Sequence, residues 1–202
     1  MNNLSANKAL GQHFLVNENV CKRIADSFSE FAEGDILEVG PGKGVLTKYL
    51  IPKFPEMYVC ELDNRMSEYL QQHYTFKQDH FFGTDILQLD FETIFKNDVS
   101  VIGNFPYNIS SQILFHCLKY KSNVSLIVGM FQKEMAQRVA SKHGSKDYGV
   151  ISVLMQAWYD VEYLFEVHEN DFVPPPKVKS AVIRLTKKKS SYNIQEPAVL
   201  TR

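Results

Sequence analysis

Short apolar runs alternate with helical segments along most of this chain, and this alternation restricts the fold more than any other feature. Runs typical of buried strands lie at residues 35–39, 57–60, 80–82, 99–103 and 124–128. Segments with helical character lie at residues 17–31, 45–50, 66–70, 132–142 and 149–159. Strands that alternate with helices predict a mainly parallel sheet covered on both faces. We therefore expect an α/β fold, completed by a closing pair of strands at 161–167 and 180–185.

The composition fits one globular unit in a reducing compartment. With 202 residues, of which 45% are hydrophobic, the chain can bury one sizeable core. Cys21, Cys60 and Cys117 are odd in number and widely spaced, so they predict neither a disulfide framework nor a metal site. The sequence has no apolar signal core and no run long enough to span a bilayer. These features favour a cytoplasmic protein without a membrane partner.

The charge is nearly balanced overall but is distributed unevenly along the chain. The net charge of −1 gives no global field that would attract nucleic acid. Basic side chains nevertheless cluster in two stretches, one at Lys133, Arg138, Lys142 and Lys146 and the other within 177–189. Such clusters are typical of solvated surfaces, and they are also compatible with contacts to phosphates.

Four residues, Asn104, Phe105, Pro106 and Tyr107, follow the fourth apolar run. They are expected at the carboxyl end of a strand, where open α/β sheets bind ligands. Asn104 offers a neutral acceptor oxygen, and the fixed backbone of Pro106 helps to aim a carbonyl. Tyr107 offers a face on which a base can stack. The group suits adenine, whose amino nitrogen becomes nucleophilic when its N–H bonds meet acceptors. Taken alone, the tetrapeptide is more typical of a loop with a helix cap and a packed tyrosine.

A glycine-rich loop at Gly40, Gly42 and Gly44 joins the first predicted strand to a helix. Its spacing departs from the dinucleotide fingerprint and from the P-loop, which indicates a ligand without a phosphate. Glu61 ends the second strand and suits a ribose diol, and Asp85 follows the third and suits an adenine amino group. Each residue alone is also compatible with a turn or a helix cap. Their order along successive strand ends favours a site for S-adenosylmethionine.

Six motifs, in this order, resemble those of the ribosomal RNA adenine N6,N6-dimethyltransferase family. They are KALGQHFL (8–15), EVGPGKG (38–44), ELD (61–63), NFPYNIS (104–110), QKE (132–134) and FVPPPKVKSAV (172–182). The resemblance implies a Rossmann-like fold with a mainly parallel seven-stranded sheet. It implies S-adenosylmethionine as donor, with S-adenosylhomocysteine as the product left behind. The implied acceptors are two adjacent adenosines near the 3′ end of small-subunit (16S) rRNA in immature 30S particles, converted to N6,N6-dimethyladenosine during ribosome biogenesis.

The resemblance also assigns roles to individual positions. It implies catalytic roles for Asn104, Pro106 and Tyr107, with Phe172 stacking on the opposite face of the target base. From its residue type alone, Phe172 is more typical of a core position. His13 stands where many relatives have Asn. The positions implied to contact the donor are Gln12, His13, Leu15, Gly40, Gly42, Glu61, Leu62, Asp85, Ile86 and Asn104.

The resemblance sets expectations for the domains and for competing functions. Residues 1–185 are expected to form the catalytic domain, with 1–16 as a segment that caps the cofactor. Residues 186–202 are expected to begin the small helical C-terminal domain that is usual in the family, and the protein is expected to be a monomer. Two alternatives stay open: methylation of DNA adenine or of a protein glutamine, and a non-catalytic RNA-binding role in ribosome assembly.

Overall fold

A sheet of seven strands organises the protein. The computed structural model describes residues 4–7 and 10–189. Its strands are β1 (Phe14–Leu15), β2 (Asp35–Val39), β3 (Tyr58–Cys60), β4 (Phe81–Phe82), β5 (Val99–Asn104), β6 (Val124–Gln132), β7 (Tyr159–Val167), β8 (Phe172–Val173) and β9 (Ser180–Lys187). The large sheet has the order β4-β3-β2-β5-β6-β9-β7, while β1 and β8 form a separate pair. Lys8 and Ala9 of the first motif, and the expected tail from residue 190 on, lie outside the described residues.

The central strands are parallel and the last two are not. β4, β3, β2, β5 and β6 pair in parallel, whereas β9 is antiparallel to both β6 and β7. The helices between them are α1 (Glu18–Ser29), α2 (Thr47–Leu50), α3 (Asn64–His73), α4 (Phe91–Ile94), α5 (Ser110–Lys119), α6 (Lys133–Ala140) and α7 (Val150–Trp158). The mainly parallel seven-stranded α/β fold expected from the sequence is therefore confirmed. Among residues 4–7 and 10–189, no helix has the length and apolar character needed to cross a membrane.

Two apolar layers, one on each side of the sheet, hold the helices in place. Alternate residues of a strand point to opposite faces, so Val101 of β5 belongs to one layer and Ile102 to the other. The layer around Val101 covers α5, α6 and α7, and the layer around Ile102 covers α1 and α2. Strands buried on both faces read as continuous apolar runs, which explains why the sequence showed them so clearly.

Several element boundaries differ from those that the sequence predicts. Asn17 caps α1 as expected, because its side chain accepts hydrogen bonds from the backbone of Asn19 and Val20. The helix predicted from residue 45 begins only at Thr47, since the glycine-rich turn continues through the residues before it. His80 lies in a short 3₁₀ turn instead of the strand that follows it. β6 runs on to Gln132, well past the apolar run at 124–128.

The two-stranded pair β1–β8 ties the N-terminal segment to the chain that precedes β9. Phe14 pairs with Val173, and Leu15 pairs with Phe172. Leu15 and Phe172 are both buried and pack in the same apolar layer. This pairing fixes the N-terminal segment across the carboxyl ends of the central strands.

Candidate active site

One cleft lies at the carboxyl ends of the central strands, beneath the N-terminal segment. Open α/β sheets bind ligands at this edge. All ten residues predicted to contact the donor line this cleft, and so do Pro106 and Tyr107. The structure therefore brings together side chains from five separate stretches of sequence. Phe172 is not among the residues that line it.

The glycine-rich loop forms the floor of the cleft. Gly42 and Gly44 have φ values of 56° and 75°, in the left-handed region where any side chain is strained. A Cβ atom at Gly44 would also lie 2.6 Å from the ring of Tyr74. The turn allows the backbone N–H of Gly42 to donate to Glu61 Oε2 at 2.9 Å. The loop thus brings the backbone close to the carboxylate of the residue that follows β3.

Glu61 is a buried carboxylate held by the backbone. Its two oxygens accept hydrogen bonds from the N–H groups of Gly42 and Asp63, each at 2.9 Å. Burial raises the pKa of Glu61 above its ordinary value, and the hydrogen bonds from Asp63 and Gly42 oppose this. Each carboxylate oxygen has a further lone pair, so the group can still accept hydrogen bonds from a ligand hydroxyl.

An apolar and acidic edge adjoins Glu61. Asp85 caps the short turn Ile86–Gln88, and its Oδ1 accepts a hydrogen bond from the N–H of Leu87 at 3.0 Å. Ile86 is buried, whereas Leu62 is 49% exposed and lies on the cleft wall. Apolar surfaces beside a carboxylate acceptor can hold a flat ring that carries an amino group.

Asn104 ends β5 and has its amide oriented by the N-terminal segment. Its Nδ2 donates to the backbone carbonyl of His13 at 3.1 Å. The donor end of the amide is thereby occupied, which leaves the acceptor Oδ1 on the other side of the group. The Pro106 carbonyl accepts a hydrogen bond from the N–H of Ile109 at 3.2 Å, and the second lone pair of this oxygen remains available to a ligand.

Tyr107 is fixed at the mouth of the cleft. Its hydroxyl forms a 2.5 Å hydrogen bond with the hydroxyl of Ser180, a buried residue at the start of β9. Burial raises the pKa of Tyr107, so the phenol remains neutral at physiological pH. The ring of His13 stacks on it, with 5.6 Å between ring centroids and 25° between planes.

The N-terminal segment crosses the cleft and is attached on both sides. Gln12 donates through Nε2 to Asp63 Oδ2 at 3.0 Å, and its Oε1 accepts from the backbone of Asn7. Arg65 pairs with the same Asp63 carboxylate at 2.6 Å and lowers its pKa. Gln12 therefore serves here as an anchor for the segment as well as part of the cleft wall.

Phe172 lies away from the predicted base position. Its side chain is 2% exposed and packs with Leu15 in the apolar layer next to α1. The β1–β8 pairing buries it, because the two strands place Leu15 and Phe172 side by side. In this structure it occupies a core position, which its residue type alone had favoured.

Glu38 is a residue of the cleft to which sequence reasoning gave no role. It lies in β2, is 1% exposed, and accepts at Oε2 from the hydroxyl of Thr47 at 2.7 Å. Its Oε1 has no hydrogen-bond partner among the described residues. Burial raises its pKa to about 8, with a further contribution from the nearby charge of Glu61. A glutamate enclosed by Ile36, Leu37 and Val39 in a buried strand was the signal that marked it.

The basic residues of the predicted clusters have two different environments. Lys133 pairs with Glu166 at 2.6 Å, and Arg184 pairs with Glu162. Arg138, Lys142 and Lys146 lie exposed at the surface around α6. Some of these basic residues therefore form ion pairs with glutamates of β7, and the others face solvent.

The sheet order, the glycine-rich loop and the acidic residues at successive strand ends define a Rossmann-like S-adenosylmethionine-dependent methyltransferase. The crystal structure of a dimethyladenosine transferase from Plasmodium falciparum matches with a TM-score of 0.75 and 29% identity, over 89% of this chain and 65% of that one. The crystal structure of the 23S rRNA methyltransferase ErmE also matches with a TM-score of 0.75, at 25% identity, over 88% of this chain and 71% of that one.

Residues 3–199 match the family model of the ribosomal RNA adenine dimethylases, and the chain belongs to this family. The curated relative named ribosomal RNA small subunit methyltransferase A, from Flavobacterium johnsoniae, is 49% identical over 189 residues. That match covers 93% of this chain and 72% of the relative. In these three comparisons this chain covers 65%, 71% and 72% of the length of the other protein.

Proposed function

We propose that this protein transfers methyl groups from S-adenosylmethionine to N6 of two adjacent adenosines near the 3′ end of small-subunit rRNA in immature 30S particles. The product is N6,N6-dimethyladenosine. One observation carries the proposal: the Asn104 amide is oriented by His13 at the mouth of a cleft whose floor holds Glu61 and Glu38. The 49% identity to a relative named as a small-subunit methyltransferase supports the choice of rRNA.

The buried acidic groups fit a cationic donor. Glu38 Oε1 has no partner among the residues described, and a buried unpaired oxygen is costly unless a ligand satisfies it. Glu61 would hold the ribose hydroxyls, and Asp85 with Ile86 would hold the adenine. The donor supplies a methyl group that is activated by a sulfonium charge. Glu38 would face the positive charge of the donor, which favours the ionised carboxylate.

Asn104 and Pro106 prepare the acceptor nitrogen. The lone pair of an adenine amino group is delocalised into the ring, so the nitrogen is a poor nucleophile. Acceptors at Asn104 Oδ1 and at the Pro106 carbonyl would bind its two N–H bonds and favour the pyramidal form, in which the lone pair is localised. After the first methylation one N–H remains, so one acceptor still orients the nitrogen for the second.

Placement and electrostatics account for the catalysis. No strong base is required before attack, because the proton leaves the amino group to solvent after the new bond has formed. The target base has to leave its stack to reach the cleft, and the Tyr107 face receives it. Holding both reactants in one orientation removes much of the entropic barrier of a bimolecular reaction.

The remaining parts of the proposal concern the surroundings of the cleft. Residues 1–16 cap the donor, supported by the contacts of Gln12 with Asp63 and of His13 with Asn104. Residues 1–185 act as the catalytic domain. The exposed Arg138, Lys142 and Lys146 contact phosphates of the rRNA. The protein acts as a monomer in the cytoplasm, where the ribosomal subunits are assembled.

Radiolabelled methyl transfer tests this function. The purified protein is incubated with labelled donor and with small subunits that lack the modification, and the modified bases are mapped. We expect label at N6 of two adjacent adenosines near the 3′ end, with large subunits, DNA and protein unlabelled. Label in large-subunit rRNA, DNA or protein glutamine would show that the protein acts on another class of substrate. Binding to immature subunits without any transfer would favour the assembly factor.

A further inference from the structure

The charges that line the cleft match only part of the donor. Glu38, Glu61 and Asp85 line it, and in the part of the chain that the structure describes Lys43 is the only lysine or arginine among the lining residues. The acidic side chains suit the sulfonium and the ammonium group of S-adenosylmethionine. The donor also carries a carboxylate, which these side chains repel and which needs a cation or N–H groups once it leaves water. Lys43 is therefore the side chain whose charge complements this group.

Lys43 lies where the glycine-rich loop meets the N-terminal segment. It is half-buried, and its Nζ lies 4.7 Å from the centroid of the Phe14 ring. The same ring lies against the loop, because a Cβ atom at Gly42 would be 3.3 Å from it. None of the ion pairs among residues 4–7 and 10–189 includes Lys43. Its ammonium group can therefore bind an anion without breaking an existing pair.

We propose that Lys43 binds the carboxylate at the amino-acid end of the donor. This inference rests on the proposed function and adds a residue to the donor site. With the ribose on Glu61 and the sulfur directed toward Asn104, the amino-acid end leaves the sulfur between the glycine-rich loop and the N-terminal segment. The flexible four-carbon stem of Lys43 lets its ammonium group reach a carboxylate there from its place beside Phe14.

The contact would affect binding and not the chemical step. Methyl transfer removes the sulfonium charge and leaves the carboxylate unchanged, so Lys43 would bind the donor, the transition state and the product S-adenosylhomocysteine alike. Such uniform binding lowers KM for the donor without raising kcat. The product can therefore report the contact in the absence of any transfer.

A ligand without the carboxylate separates this contact from other effects. We would titrate the wild type, Lys43→Met and Lys43→Arg calorimetrically with S-adenosylhomocysteine and with its decarboxylated form, which keeps the amino group. Lys48→Met is the matched control, because it removes the same charge from the following helix, where Lys48 pairs with Glu18. Donor KM and kcat on unmethylated small subunits are measured for the same proteins.

Lys43→Met should weaken binding of S-adenosylhomocysteine by about fivefold or more and leave binding of the decarboxylated ligand within about twofold of the wild type. Lys43→Arg should keep most of the affinity, Lys48→Met should change neither ligand, and donor KM should rise in Lys43→Met at constant kcat.

Unchanged binding of S-adenosylhomocysteine by Lys43→Met would overturn the inference and leave the proposed function standing. Equal losses for both ligands would also overturn it, since Lys43 would then act on the loop and not on the carboxylate. A loss in Lys48→Met as large as that in Lys43→Met would show a general field instead of a contact. A wild type that binds neither ligand would overturn the proposed donor site, and this inference with it.

Discussion

Replacing Glu38 by glutamine should remove a pH dependence of stability that this one buried side chain creates. Glu38 is 1% exposed, and only one of its carboxylate oxygens has a hydrogen-bond partner within residues 10–189. Burial disfavours the charged form and raises the pKa to about 8 from an ordinary value of 4.5. Glutamine keeps the shape and the contact with Thr47 but carries no charge at any pH.

The sign and size of the effect follow from proton linkage. Between pH 4.5 and about 8 the native state keeps its proton while the unfolded chain has released it. The free energy of unfolding therefore falls as the pH rises through this window. A pKa difference of about 3.5, at about 1.4 kcal/mol for each unit of pH, corresponds to at most about 5 kcal/mol.

Urea unfolding at a series of pH values from 5 to 8.5 measures this directly. The free energy of unfolding of the wild type, compared with that of Glu38→Gln, should decline by several kcal/mol across the series. Glu30→Gln is the matched control, because Glu30 is an exposed glutamate and its removal should leave the wild-type slope unchanged. Parallel curves for the wild type and Glu38→Gln would refute the assignment of a neutral buried carboxyl.

Substitutions at three further positions, each with its expected result, test the site and its supports. Glu61→Gln should weaken S-adenosylmethionine binding by roughly tenfold or more in calorimetry, because hydrogen bonds to a charged group are stronger; unchanged affinity would contradict the ribose role. Gly44→Ala should lower the free energy of unfolding by at least about 1 kcal/mol, because φ is 75° and the Tyr74 ring is close, whereas Gly83→Ala should be neutral, since its Cβ would meet no atom within 4 Å. Phe172→Ala should lower the free energy of unfolding by about 3–5 kcal/mol, because it removes a buried ring. Phe172→Leu should keep most of this stability and a normal rate of methyl transfer. A stable Phe172→Leu variant without activity would instead show that the ring contacts the target base.

Much of the fold could be predicted because the central strands are buried on both faces. Runs such as 99–103 and 124–128 have few polar residues, and they alternate with helices in the order that a parallel sheet requires. The closing strands β7 and β9 were also found, since each is long and contains several apolar residues. Local pattern and global topology agree in these elements.

The pairing of β1 with β8 could not be predicted. Each strand has only two residues, which is too short for any periodicity, and Leu15 and Phe172 are far apart in sequence. This one long-range contact decides that Phe172 is buried. It also decides that His13, which follows Gln12 across the cleft, meets Tyr107.

Only part of the chemistry of the site could be predicted from the sequence. The motifs identified the positions of Asn104 and Glu61, but they did not say which end of the Asn104 amide is occupied. That depends on the carbonyl of His13, which lies 91 residues earlier in the chain. The role of Glu38 depends on how completely it is buried, and burial emerges only when the whole sheet is assembled.

A crystal structure with S-adenosylhomocysteine bound tests most directly whether the cleft serves both reactants. We expect the ribose hydroxyls on Glu61, the adenine ring beside Asp85 and Ile86, and the sulfur directed toward Asn104 Oδ1, with open space for a purine next to Tyr107. A ligand bound outside this cleft, or an Asn104 oxygen turned away from the sulfur, would contradict it.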